Sequence, residues 1–258
     1  MMGKVYLIGA GPGDPELLTL KAARLLARAD VVLHDALVSD AVLAVISPAA
    51  EIINVGKRAG HKLLTQDEID ALLVSYGRTR PGVVRLKGGD PTIFGRAGEE
   101  IEALRKAGIE YEIVPGISAA LGAAAAAGIS LTDRRVASQI LLTTFSRGID
   151  GSAMDWGCVT STTTLVLYMP GADYAEVSER LLGGGLPADL PCVMVSRATG
   201  SRQQVRWSNV ARLASEQKLA APALLIVGRV ASRDVAEIST QFWGTNRKDP
   251  DLQQTSVS

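Results

Sequence analysis

The sequence predicts an α/β fold with two α/β domains, the first of them built on a largely parallel sheet. Short β-branched runs alternate with amphipathic helical patterns, which is typical of strands joined by crossover helices. The alternation is interrupted at Pro115-Gly116 and then starts again. We therefore predict an N-terminal domain over residues 1–115, a second domain over residues 116–244 and a disordered tail over residues 245–258, where the chain is polar and patternless.

The first half of the chain supplies five predicted strands and four predicted helices. The strands are residues 5–8, 31–33, 52–55, 83–86 and 111–114, and the helices are residues 17–27, 66–76, 97–107 and 119–127. Asp14, Pro15 and Glu16 precede the first helix, where acidic residues face the positive end of the helix dipole. Thr65 with Glu68 three residues later predicts a capping box at the second helix. The fourth helix is mostly alanine, which favours close packing against a neighbour or a ligand.

The second half repeats the alternation. Its predicted strands are residues 140–144, 165–169, 192–195, 205–207 and 224–227, and its predicted helices are residues 175–182 and 210–217. A second α/β unit follows from this order of elements.

The composition is that of an ordinary soluble globular protein. Of the 258 residues, 47% are hydrophobic and 21% are charged. Lys plus Arg and Asp plus Glu number 27 each, so no overall charge favours nucleic acid or an anionic membrane surface. A polyanionic ligand would therefore need local clusters of Lys and Arg.

Cysteine and histidine usage predicts neither a disulfide framework nor a metal site. Cys158 and Cys192 have no CxxC partner, and we interpret both as buried thiols. His34 and His61 lack the spaced partners that a metal needs. The first residues show no basic and apolar leader, and residues 119–127 are too short to span a bilayer, so we predict a cytoplasmic protein without a membrane partner.

The segment Leu86-Lys87-Gly88-Gly89-Asp90-Pro91 is the strongest candidate for a ligand site. Two glycines after an apolar strand indicate that the backbone approaches something closely. Asp90, Arg96 and Glu99 add charges of both signs within one loop. This combination predicts a binding loop.

A second glycine loop, residues 9–15, follows the first predicted strand. The third glycine of a dinucleotide fingerprint would fall at Asp14, whose carboxylate would repel a pyrophosphate, and Pro12 removes a backbone donor. A P-loop is also excluded, because no Gly-Lys-Ser/Thr follows. Two backbone loops of this kind favour a nucleoside over a di- or triphosphate, and by themselves they leave the ligand unidentified.

The chain resembles the tetrapyrrole methylases that use S-adenosylmethionine. The resemblance covers nearly the whole chain to about residue 232. The segments that carry it are residues 5–20, 29–35, 37–39, 55–60, 85–96, 114–117, 128–132, 165–169 and 222–230.

The resemblance implies two α/β domains with the cofactor in the cleft between them, usually in a homodimer. Within the family the chain is similar to the members that transfer two methyl groups from S-adenosylmethionine to uroporphyrinogen III, which yields precorrin-2 and releases S-adenosylhomocysteine. Precorrin-2 leads toward sirohaem and cobalamin-type cofactors. A ring of carboxylates surrounds this acceptor, and cations at predicted element ends could meet them: Lys57, Arg58, Arg96, Arg134, Arg135 and Arg147.

The resemblance also implies roles for individual residues. Asp35 corresponds to the family's proposed proton acceptor and Lys57 to its proposed proton donor. Arg96 is expected among the catalytic residues and, with Glu99, to face the tetrapyrrole, and Arg58 and Arg134 are further acceptor candidates. The implied donor site comprises Pro12, Gly88, Gly89, Asp90, Ile93, Ser118, Ala119, Met169, Ala198 and Ala223.

The chain departs from the family at a few positions. Ala97 stands where the family commonly has glycine, and other changes lie in residues 132–139, 144–146 and 196–199. A related precorrin methylase and a donor-binding regulatory paralogue without turnover therefore stay open as alternatives. A nucleotide-binding regulator is disfavoured by Asp14 and by the missing phosphate motifs.

Overall fold

The computed structural model describes residues 3–56, 64–145, 156–171 and 174–233 and is a mixed α/β structure with two five-stranded sheets. By contact the chain divides into two compact units. Unit 1 comprises Met1–Gly128, Val195–Val205 and Leu219–Leu224, and unit 2 comprises the remaining segments. Within the described ranges, no helix is both long and apolar enough to cross a membrane.

The sheet of unit 1 is parallel. Its strands are β1 (Lys4–Gly9), β2 (Val31–His34), β3 (Glu51–Asn54), β4 (Gly82–Lys87) and β5 (Tyr111–Val114), and they lie in the order β3-β2-β4-β1-β5. Strand β4 lies at the centre, between β2 and β1. The five predicted strands are therefore confirmed, with bounds that shift by no more than one residue at either end.

Helices cover both faces of this sheet. They are α1 (Leu20–Leu26), α2 (Asp40–Leu43), α3 (Gln66–Thr79), α4 (Ala97–Lys106) and α5 (Ala119–Ala127). Alternate residues of a strand point to opposite faces. Accordingly, Val5 and Leu7 pack in the core with Leu73 of α3 and Leu104 of α4, whereas Ile8 packs in the core on the other face.

Two helix starts show how the local sequence sets the boundaries. The capping box predicted at Thr65 and Glu68 is present at the start of α3. The single helix predicted over residues 17–27 is wrong in part. Asp14 caps a short 3-10 helix, Pro15–Leu17, and Thr19 then caps α1 with its hydroxyl on the Ala22 amide.

The sheet of unit 2 contains β6 (Gln139–Thr144), β7 (Thr163–Tyr168), β8 (Pro191–Ser196), β9 (Gln204–Asn209) and β10 (Ala223–Val227), in the order β6-β7-β10-β8-β9. Helix α6 (Tyr174–Gly183) buries Val177 and Leu181. The helix predicted over residues 210–217 is instead a 3-10 helix, Ala211–Ser215. At its start the Asn209 side chain accepts a hydrogen bond from the Arg212 amide.

Helix α5 and two later segments belong to the same compact unit as the first sheet, whereas the sequence predicts a division at residue 115. One reason is that α5 packs against the loop after β1, where a methyl group at Gly122 would lie 2.5 Å from Cβ of Pro12. The division into folding domains at residue 115 stays a prediction. The predicted disordered tail, residues 245–258, lies outside the described residues.

Candidate functional site

The candidate site is the edge of the first sheet at which its parallel strands end. The loop after β1 contains Pro12, β2 is followed by Asp35, β4 by Gly88 and Gly89, and β5 by Pro115. Carboxyl ends of parallel strands meet at one edge, and this edge is where open α/β sheets bind their ligands.

Three glycines bring the ends of β1, β4 and β5 into backbone contact. A methyl group at Gly9 would lie 2.6 Å from Cα of Gly116, and one at Gly116 would lie 2.3 Å from the carbonyl oxygen of Gly89. Gly11 and Gly89 also exchange two backbone hydrogen bonds of 3.1 and 2.9 Å. Bare backbone from three strands therefore surrounds one small region, and no side chain there could be added without displacing main chain.

Asp90 ties the loop after β4 to the loop after β5. Its Oδ1 accepts hydrogen bonds from the amide and the hydroxyl of Thr92 at 2.8 and 2.5 Å, and its Oδ2 accepts from the Gly116 amide at 3.0 Å. Partial burial opposes ionisation, but the hydrogen bonds from Thr92 and Gly116 outweigh it and hold the pKa of Asp90 below its ordinary value. The carboxylate therefore fixes the spacing of the two glycine loops.

We expect Asp90→Asn to lower the free energy of unfolding by about 1 to 2 kcal/mol, because an amide turns an N–H toward the Gly116 N–H. The folded pKa is depressed, so the carboxylate's contribution is full above 3.8 and is lost as the pH falls through the folded value. Urea unfolding of the unsubstituted protein and of Asp90→Asn across this pH range should show that the difference in their free energies of unfolding becomes smaller in acid. A difference that stays constant with pH would contradict this account.

Further residues of the predicted donor site, Ile93, Ser118 and Ala119, lie on segments of unit 1 that meet the same loops. Ser118 caps α5 on the Ala120 amide, and Ala119 follows it. Ile93 is half-buried, and its amide donates to the Asp90 carbonyl at 3.3 Å. The structure thus groups these predicted residues around the glycine contacts.

Ala198 and Ala223 come from late segments that belong to unit 1. Thr199 accepts a hydrogen bond from the Asp14 amide at 3.2 Å, and a methyl group at Gly13 would lie 3.5 Å from the carbonyl oxygen of Ala198. Nearby, the Arg197 amide donates to the Pro222 carbonyl at 2.8 Å, which places the two late segments side by side. Both alanines therefore lie in the unit that holds the glycine loops.

Met169 and Arg134 belong to unit 2. Met169 follows β7 with a φ of 48° and is 55% exposed, so it is not a core residue. Arg134 is exposed in the turn that the bridge between Asp133 and Ala137 closes. Lys57, Arg58 and Arg147 lie outside the described residues.

Arg96 and Glu99 form an exposed clamp at the start of α4. Arg96 donates from Nε to Glu99 Oε1 at 2.8 Å and from a terminal nitrogen to Oε2 at 2.5 Å. This hydrogen-bonded pairing raises the pKa of Arg96 and lowers that of Glu99. Arg96 adopts a left-handed backbone conformation, φ 56°, as does Phe94, φ 51°. Strained, exposed residues in one short loop are typical of a functional site.

Ala97 fits the structure although the family commonly has glycine there. Its side chain is 5% exposed and packs in the core with Leu104 and Val5. Alanine also has the highest helix propensity, so it stabilises the first turn of α4.

A buried charge network behind the site was not predicted. Arg85 and Lys87 are each 2% exposed, and Glu100 is fully buried. Lys87 donates to both oxygens of Glu100, at 2.8 and 2.9 Å, and Arg85 donates to Glu100 Oε1 at 2.8 Å. A terminal nitrogen of Arg85 also reaches Asp35 Oδ1 at 2.5 Å. Two cations and two carboxylates therefore join β4, α4 and the end of β2.

The network changes the acid–base properties of its cations. Burial opposes the charge of Arg85, but the carboxylates of Glu100 and Asp35 outweigh it and raise the pKa of Arg85. Burial, followed by the neighbouring Arg85 cation, lowers the pKa of Lys87. The sequence did carry a signal, because cations at alternate positions of a central strand share one face and need carboxylates opposite them.

Within the described ranges, no group of three or more His, Cys, Asp and Glu residues could hold a metal ion. Cys192 is buried, and burial raises the pKa of its thiol to about 12. Cys158 is exposed, so the prediction that both thiols are buried is wrong for it.

Comparison with known proteins gives one consistent result. A family model described as Tetrapyrrole (Corrin/Porphyrin) Methylases matches residues 4–214. A uroporphyrinogen-III C-methyltransferase of Paracoccus denitrificans is 49% identical over 236 residues, which cover 90% of this chain and 82% of that protein. A siroheme synthase of Gluconobacter oxydans is 47% identical over 238 residues, and the match covers 90% of this chain but only 50% of that protein.

A solved structure extends the similarity to the fold. The uroporphyrin-III C-methyl transferase from Thermus thermophilus, complexed with S-adenyl homocysteine, matches with a TM-score of 0.76 at 39% identity. The match covers 88% of this chain and 93% of the Thermus chain.

Proposed function

Because this chain belongs to the tetrapyrrole methylase family, we propose that it is an S-adenosylmethionine-dependent C-methyltransferase that converts uroporphyrinogen III to precorrin-2 by two successive methylations. Membership of the family, which the sequence motifs predicted, is confirmed. The product would lead toward sirohaem and cobalamin-type cofactors, and S-adenosylhomocysteine would be released.

One observation carries the assignment of the donor site. The contacts among Gly9, Gly89 and Gly116 hold three main-chain segments together at one edge of the sheet, with Asp90 fixing two of these loops. A nucleoside presents hydroxyl and amine groups that backbone N–H and C=O groups can bind directly. The residues present therefore fit S-adenosylmethionine, which, when bound, supplies an electrophilic methyl group on a sulfonium centre.

The chain's own residues then have three tasks. The glycine loops bind and orient the donor, because an in-line displacement depends on alignment. Arg96, Arg58 and Arg134 are proposed to bind the acceptor carboxylates, and Glu99 to face the tetrapyrrole beside Arg96, which it holds through two hydrogen bonds. Each methylated ring carbon gains a methyl group while the macrocycle loses one net proton, which Asp35 is proposed to accept. Lys57, the proposed donor, would give a proton to the macrocycle and recover it when a second ring proton leaves, so the net loss stays at one.

The direct test is anaerobic incubation of the purified protein with fresh uroporphyrinogen III and S-adenosylmethionine. Mass spectrometry should show an acceptor that has gained two methyl groups, in each case replacing hydrogen, and two molecules of S-adenosylhomocysteine for each acceptor converted. No gain of mass together with measurable binding of S-adenosylhomocysteine would contradict the acceptor and favour a related precorrin methylase or a regulatory paralogue.

We expect Arg96→Ala to lower kcat/KM by about 10²-fold or more while leaving the Kd for S-adenosylhomocysteine nearly unchanged. Arg96 is 58% exposed and pairs only across one turn with Glu99, so its loss costs little stability. Lys106→Ala is the matched control, because Lys106 forms a similar exposed pair with Glu102 at the other end of α4. Loss of donor binding in Arg96→Ala would assign the arginine a structural role.

We also propose that the protein acts as a homodimer in the cytoplasm. The free thiols Cys158 and Cys192 are compatible with a reducing compartment. Sedimentation equilibrium tests the assembly: the proposed state has twice the 27.1 kDa chain mass, and a monomer at all concentrations would contradict it.

A further inference from the structure

The buried charges of β4 lie directly behind Asp35, and their arrangement assigns a role to a residue that does not reach the ligand loops itself. We propose that Arg85 is a positioning residue that holds the Asp35 carboxylate in a fixed orientation while a polycarboxylate acceptor is bound. This inference rests on the proposed function, in which Asp35 accepts a proton.

Arg85 is held on several sides before it reaches Asp35. Its Nε donates to Glu100 at 2.8 Å, and one terminal nitrogen donates to the carbonyl oxygens of Leu33 and Leu86 at 3.4 and 3.3 Å. The other terminal nitrogen is left to bind Asp35 Oδ1. A planar guanidinium fixed by three acceptors on two strands and a helix has no rotational freedom, so it determines where the Asp35 carboxylate lies.

The Asp35 carboxylate completes the charge balance of the network. Arg85 and Lys87 supply two positive charges, and the fully buried Glu100 supplies one negative charge to both. Asp35, whose side chain is 29% exposed, supplies the second. The partly exposed carboxylate is therefore the member of the network that can meet a substrate, while the cation that binds it stays in the core.

A polycarboxylate acceptor would otherwise repel the Asp35 carboxylate and displace it. Like charges repel each other, whereas a cation of fixed position holds a carboxylate in place. The groups that face Asp35 in the described structure are Arg85 from β4, then Lys87 and Glu100 behind it, and His34 on its own strand. His34 directs Nδ1 toward the Asp35 carbonyl oxygen, 3.0 Å away, and not toward the carboxylate. Among the residues that the structure describes, Arg85 is therefore the cation that contacts the Asp35 carboxylate.

Two substitutions separate positioning from stability. Arg85→Met leaves the buried Glu100 paired with Lys87, and Asp35 partly hydrated, so no buried charge is left uncompensated. Lys87→Met is the matched control: it removes an equally buried cation from the same strand and face but leaves the contact between Arg85 and Asp35. Arg85→Lys keeps the positive charge but replaces the forked guanidinium, which binds both Glu100 and Asp35, with a single ammonium group.

We expect kcat of Arg85→Met to fall roughly 10²-fold, with the Kd for S-adenosylhomocysteine nearly unchanged. The KM for uroporphyrinogen III should change far less than kcat, because Asp35 is proposed to accept a proton and not to bind the acceptor carboxylates. Arg85→Lys should recover part of kcat, because the ammonium group restores the charge but not the fork. Lys87→Met keeps the contact between Arg85 and Asp35 and should lower kcat much less than Arg85→Met does.

The outcomes keep this inference distinct from the proposed function. If the unsubstituted protein does not methylate uroporphyrinogen III, the proposed function fails. If it does, and kcat of a folded Arg85→Met falls only as far as kcat of Lys87→Met, then Arg85 is structural and the inference is overturned. If Arg85→Met does not fold, Arg85→Lys is measured in its place, and a kcat no lower than that of Lys87→Met has the same meaning.

Discussion

Gly116→Ala is expected to abolish binding of S-adenosylhomocysteine and to lower the free energy of unfolding by about 3 kcal/mol. The added methyl group would lie 2.3 Å from the carbonyl oxygen of Gly89 and 2.7 Å from Cα of Gly9. Both neighbours are main chain, which cannot rotate away as a side chain could, so the loops after β4 and β5 must separate. Isothermal titration with S-adenosylhomocysteine and urea unfolding measure the two effects.

Gly98→Ala is the matched control for this substitution. A methyl group at Gly98 meets nothing within 4 Å, and the residue lies in α4. Alanine there should leave ligand binding unchanged and stabilise the helix by about 0.5 to 1 kcal/mol. If Gly116→Ala binds S-adenosylhomocysteine as tightly as Gly98→Ala does, the glycine contacts are not needed for binding.

Glu100→Gln is expected to lower the free energy of unfolding by about 3 to 5 kcal/mol. The substitution leaves Arg85 and Lys87 facing each other in the core with Asp35 as the remaining carboxylate. Burial and the Arg85 cation already lower the pKa of Lys87. Because the two buried cations would then share one partly exposed anion, we expect the pKa of Lys87 to fall further.

Glu99→Gln provides a control one residue away. Glu99 is 49% exposed and pairs with Arg96 on the surface, so its substitution should cost no more than about 1 kcal/mol. Chemical unfolding of the two variants under one set of conditions makes the comparison. A similar loss of stability in both would mean that the buried network contributes nothing beyond an ordinary surface ion pair.

The strands of the first sheet could be predicted because their patterns are local. Residues 5–8 are a short apolar run and residues 111–114 are mostly apolar, and the structure places strands at Lys4–Gly9 and Tyr111–Val114. The capping box at Thr65 also depends on only four neighbouring residues, and it is present. Signals of this range need no knowledge of the tertiary fold.

The helix over residues 17–27 shows where local patterns compete. Asp14 and Thr19 are both good capping residues, and each starts its own helical segment. Helical periodicity alone does not report which cap is used. The short helix α2 was missed for a related reason, since four residues are too few to show a period.

The partners of the candidate site depend on tertiary contacts that no periodicity encodes. Asp90 bonds Gly116 across 26 positions of sequence, and Thr199 bonds the amide of Asp14 across 185. The resemblance named the residues, but not these bonds. The network of Arg85, Lys87 and Glu100 was overlooked because strand β4 was treated as an apolar run, although its two cations alternate with Val84 and Leu86.

The alternation of Arg85 and Lys87 with apolar residues in β4 has a consequence for the newly made chain. The segment Gly82–Lys87 lies at the centre of the folded sheet, so it is apolar enough to self-associate while still exposed during synthesis. Two positive charges in so short a segment keep copies of it apart and oppose aggregation. Once β2 and α4 have docked, Asp35 and Glu100 neutralise these charges, and the repulsion disappears as the sheet becomes complete.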